Sequence, residues 1–86
     1  MPKVSEFFGI VIALLYADHA PPHFLARYGA HEALVDIESL RLLRGGLPRR
    51  ALALVLEWAM LHRLELRADW DLARRGLPLA PIAPLE

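Results

Sequence analysis

The sequence predicts an α+β domain with three parts: a three- or four-stranded antiparallel meander over residues 1–44, a long helical region over 48–75, and a proline-rich extended tail over 77–86. Three observations carry this reading. The N-terminal half holds short apolar or alternating stretches separated by glycine and proline, as strands joined by tight turns do. From Pro48 to Arg75 the apolar residues recur with a helical period, and no glycine or further proline interrupts them. Beyond Gly76, prolines stand at 78, 81 and 84.

The run Phe8 to Ala17 is continuously apolar with β-branched residues at its centre, which predicts a strand covered on both faces. Its flanks resemble a secretory leader, but Glu6 occupies the place of a basic residue and Gly9-Ile10-Val11-Ile12 favours strand. Eleven residues, Phe7 to Ala17, are too few to cross a bilayer, so no membrane association is expected. Pro21-Pro22 fixes φ twice and removes two amide donors, making Asp18 to Pro22 a rigid connection. His23 to Tyr28 then reads as a second strand, Gly29-Ala30 as a turn, and His31 to Glu38 as a third strand with Ala33, Val35 and Ile37 facing inward. Leu40 to Leu43 extends the meander until Gly45-Gly46 ends it.

Pro48 suits the first turn of a helix, and Gly76 and Pro78 supply stop signals. At 100° per residue, Leu52, Val55, Ala59, His62, Leu66 and Trp70 centre one face, flanked by Leu54, Trp58 and Leu61. That face is expected to cover the sheet. The opposite face is charged, yet Leu56, Met60 and Leu64 form a second apolar row along it. An unbroken helix from 48 to 75 would be about 42 Å long, longer than so small a sheet, which predicts a bend or break between His62 and Asp69. The tail's three-residue proline period suits polyproline II and aligns Leu79, Ile82 and Leu85, which are expected to fold back over the domain.

Composition bounds the function. Eighty-six residues permit one core, and 56% hydrophobic content in so short a chain leaves apolar surface that a partner would cover. The absence of cysteine excludes disulfides, thiolate metal sites and cysteine nucleophiles, and a cytoplasmic location is expected. Net charge is zero but uneven: residues 41–75 carry eight arginines against four acids, whereas residues 1–40 carry Lys3 and Arg27 against five acids.

Two constellations bear on chemistry. Asp18, His19 and His23 are held together by the double proline, with His31 across a later turn; such groups ligate zinc or act as acid and base near neutral pH. The competing reading is structural, with imidazoles bonded to backbone and Asp18 capping a turn. His62, on the apolar helix face, reads as a core histidine. Arg49, Arg50, Arg63 and Arg67 offer charge to phosphates, but acids are interleaved at helical spacing, as on a solvated face. No glycine-rich phosphate loop or serine-based triad is present, and no cofactor is expected.

The segments Phe7-Phe8-Gly9-Ile10-Val11-Ile12, Asp18-His19-Ala20-Pro21-Pro22-His23-Phe24, Arg27-Tyr28-Gly29, Leu47-Pro48-Arg49-Arg50-Ala51-Leu52, Glu57-Trp58 and His62-Arg63 resemble the bacterial domain-of-unknown-function family 4160. The likeness continues through Trp70, Ala73-Arg74, Gly76 and Pro78. It implies a small bacterial protein often encoded beside a second short protein, of the domain-of-unknown-function family 2442, in pairs that look like toxin–antitoxin modules. The family usually has histidine two residues after the one at 23, where this chain has Leu25. A two-histidine strand face open to relatives is therefore closed to this sequence.

The expectation is a protein-interaction component of such a two-gene module, binding the companion protein or a second copy of itself through Leu56, Met60 and Leu64 with Arg63 and Arg67 at the rim. The alternatives are an RNA-binding or RNA-cleaving toxin using His19 and His23, and a domain that only self-associates.

Overall fold

A computed structural model describes residues 2–16 and 19–86. Its described residues form a five-stranded antiparallel sheet in sequential order, followed by two helices. The strands are β1 (Lys3–Phe7), β2 (Ile10–Ala13), β3 (His23–Tyr28), β4 (His31–Asp36) and β5 (Leu42–Gly45). The helices are α1 (Arg49–Leu61) and α2 (Arg63–Arg74).

The sheet has one more strand than the upper sequence count because the Phe8–Ala17 run is not one element. Phe8 and Gly9 form a two-residue turn with φ of 49° and 79°, and the chain doubles back between β1 and β2. Two successive left-handed residues match the twist of a tight hairpin, the geometry that sequences ordinarily fill with Asn-Gly. Val4 and Phe7 of β1 and Ile10 and Ile12 of β2 are all buried. The second hairpin lies at Gly29-Ala30, between Tyr28 and His31, as the sequence indicates. Between β4 and β5, Asp36 Oδ1 accepts from the amides of Glu38 and Ser39 at 2.8 and 2.9 Å, and Leu40 turns through φ 59°. The last strand accordingly begins at Leu42 rather than Leu40.

Alternation places Ile10, Ile12, Phe24, Ala26, Val35 and Ile37 in a core shared with Ala51, Val55, Trp58, Ala59, Leu66 and Trp70 of the helices. Trp58 is fully buried, with its ring centroid 5.4 Å from Phe7 and 6.0 Å from Phe24. The helical region breaks at His62 (φ −120°, ψ 25°), inside the expected interval. The reason is spatial: 42 Å of continuous helix exceeds the molecule's longest extent of 33 Å. The break also turns Leu61 outward, so that residue leaves the core face to which periodicity assigned it.

Residues 77–86 form neither helix nor strand, and they return to the domain. The Ile82 amide donates to the Val4 carbonyl at 2.7 Å, at the bulge in edge strand β1. Trp58 Nε1 donates to the Ala83 carbonyl at 2.8 Å, and the Ala80 amide donates to Asp69 Oδ1 at 2.9 Å. Ile82 is buried, with Leu79 and Leu85 packed against the core.

Candidate functional site

The double-proline segment leads into β3, and the structure separates its histidines by environment. His19 is exposed. His23 is only 8% exposed; its Nδ1 lies 2.7 Å from the Pro21 carbonyl, and its ring centroid is 5.0 Å from that of Trp70 in α2. An imidazole so enclosed and bonded locks the loop to the helix layer. Asp18 lies outside the described residues. His31, expected near this group, pairs with Tyr28 at the other end of β3, about 17 Å along the strand from His23. Among the described residues no group of three or more His, Cys, Asp or Glu could hold a metal ion. Leu25 pairs with Ala13 and Leu34 and is buried among them, on the sheet face away from α1.

His62, at the helix break, places Nδ1 2.5 Å from Glu65 Oε1 and its ring 5.4 Å from Trp58. It belongs to the junction rather than to the centre of the core.

The second apolar row is modified by the same break. Leu56 is half-buried and packs against the core, so it does not extend the exposed row as expected. Met60 and Leu64 are 63% and 85% exposed, and Leu61, 66% exposed, joins them. These three form an apolar ridge where the helices meet. Its rim is partly anchored: Arg63 Nε donates to the Ile37 carbonyl at 3.2 Å, and Arg67 pairs with Glu38. Both arginines thus tie the helices to the end of β4. Arg49 and Arg50, at the start of α1, form no ion pair among the described residues. They stand roughly 20 Å from Arg63 and Arg67 along the helices, so the four do not make one phosphate-tracking patch.

Two features escaped sequence reasoning. Asp69 is 1% exposed under the tail, with Oδ2 lacking a hydrogen-bond partner among the described residues. Desolvation raises its pKa, outweighing the lowering effect of the Ala80 amide. Its place in the helical period beside Trp70 is the only sequence signal for this burial. The other is an open pocket of about 200 Å³ lined by Phe8, Ile10, Tyr28, Pro48, Arg50, Ala51 and Leu54. Recognising Phe8-Gly9 as a turn would have brought Phe8 beside Tyr28.

Against this geometry, a family model described as "Domain of unknown function (DUF4160)" matches residues 9–71, nearly three quarters of the chain. The chain belongs to this family. The match spans the double-proline segment, β2 to β5, α1 and most of α2, so the helix break and the Met60–Leu64 ridge lie within it. No curated protein and no solved structure matches the chain.

Proposed function

We propose that this protein works by binding a partner protein through the Met60, Leu61 and Leu64 ridge, as one component of a two-gene toxin–antitoxin-like module. The observation that carries the reading is three large apolar side chains, each more than 60% exposed, clustered at a helix break that the rest of the chain leaves uncovered. Glu57, Glu65, Arg63 and Arg67 surround them, the apolar centre and charged rim of an interface. The proposed companion is the short product of the adjacent gene, of the domain-of-unknown-function family 2442. Because the rim carries both charges, a second copy of this chain is the other occupant it suits.

An RNA-cleaving role draws less support. His23 is enclosed by Pro21 and Trp70, and Arg63 and Arg67 are engaged within the chain. Co-purification with the neighbouring gene product, followed by growth assays of each gene alone and together, tests the proposal. A gene without a short companion, or a companion that fails to co-purify, counts against it, and sedimentation of the lone protein then decides for or against the second copy.

A further inference from the structure

We propose that the pocket between the β1–β2 turn and the first turn of α1 docks an acidic peptide segment of a partner protein, taking one aromatic or leucine side chain flanked by carboxylates. The pocket opens at the far end of α1 from the Met60 ridge, roughly 18 Å away, so it is a separate surface.

Three observations carry this. The first is Phe8. A bulky aromatic occupies a left-handed turn position, φ 49°, that asparagine or glycine fills at lower cost, and its ring is 61% exposed instead of buried. Strain retained at an exposed aromatic points to a use for the ring. Phe7 braces it edge-on, with centroids 6.4 Å apart and planes at 85°. The second is the floor. Gly9 lacks the Cβ that would sit 3.4 Å from the Tyr28 ring, and that close approach sets Tyr28 beside Phe8 over Ile10, Ala51 and Leu54. The third is charge. The first turn of α1 holds Arg49 and Arg50 and no acidic residue, and Pro48 supplies no side-chain cap. Helix dipoles favour acids there, so both cations are placed against local preference. Arg50 is the sole charged residue lining the pocket. Departures from local preference in the turn and in the helix start meet at one apolar cleft, the pattern expected of a functional site. Charge complementarity selects an anionic occupant over a cationic or neutral one.

The test is NMR titration of the full chain with acetyl-Asp-Phe-Asp-amide, beside acetyl-Lys-Phe-Lys-amide and acetyl-Asp-Ser-Asp-amide. The acidic phenylalanine peptide should shift Phe8, Tyr28, Ala51 and Leu54 signals and bind more weakly as salt rises. The two controls should bind at least about tenfold more weakly. Arg50→Glu should weaken binding about tenfold or more with the fold intact by circular dichroism. Phe8→Asn, which suits the turn, should lose binding while its melting temperature stays level or rises. Equal binding of the lysine peptide, no binding of the acidic peptide at low millimolar concentration, or unchanged binding by folded Arg50→Glu would each overturn the proposal. So would a homodimer that Arg50→Glu dissolves while the peptide does not bind, because a second copy would then be the occupant.

Discussion

At the scale of single residues, the structure depends on a few positions that admit no other side chain. Gly45 has φ 71°, and a Cβ there would meet the Glu32 carbonyl oxygen at 2.1 Å, backbone that cannot swing aside. Gly45→Ala should therefore cost roughly 2–4 kcal/mol, combining left-handed strain with displacement of β5 from β4. Urea unfolding checks it, and a loss below about 1 kcal/mol would mean that the strand yields freely. Trp58 is buried against Phe7 and Phe24 and also holds the tail through Nε1. Trp58→Ala should cost about 3–5 kcal/mol through the cavity it leaves. Trp58→Phe should cost less but free the Ala83 carbonyl, and faster exchange of the Ile82 amide would report it. An unchanged melting temperature in the alanine variant would contradict the packing described above.

At the scale of elements, the hairpin turns, the helix break and the returning tail decide how faces are assigned. Gly29-Ala30 was legible because glycine stands between two regular strands, whereas Phe8-Gly9 was concealed by apolar residues on both sides. The tail is joined to α2 by Asp69, whose burial raises its pKa above the ordinary 3.8. The folded state thus holds the Asp69 proton to higher pH than the unfolded chain does. Between the two pKa values the native form binds more protons, so stability falls with rising pH. This contribution is fully present below the unfolded value and is lost as pH rises through the folded one. Asp69→Asn retains an acceptor for the Ala80 amide and has no proton to lose. Its stability relative to the parent should therefore rise across that window, by thermal melting at a series of pH values. A constant difference, or one that shrinks as pH rises, would remove Asp69 from the account.

For the whole molecule, the sheet and tail together cover one side of the helix layer and leave the Met60–Leu64 ridge open. Met60→Glu with Leu64→Glu should leave the monomer folded, since both positions are exposed and the added i,i+4 repulsion amounts to only a few tenths of a kcal/mol. The same pair should abolish the principal assembly, whether with the companion protein or with a second copy, because carboxylates would be desolvated on association. Melting and sedimentation on one sample separate the outcomes. A large drop in melting temperature with assembly retained would show that the ridge serves the fold.

The fold class, the inward set Ala33, Val35 and Ile37, the Gly29-Ala30 turn and the helix break near His62 were determined by the sequence alone, because period, turn residues and length are local properties of the chain. Tertiary structure decided the rest. Leu56 and Leu61 are equally apolar, but the kink at His62 sends one toward the core and the other to the surface. Phe8 is a strand residue by composition and a turn residue by topology, since β1 can pair with β2 only if the chain reverses there. Asp69 reads as a surface acid until the tail folds back over it. In each case the outcome rests on contacts between residues distant in sequence, and no local pattern of side chains encodes which of two compatible faces such a contact will cover.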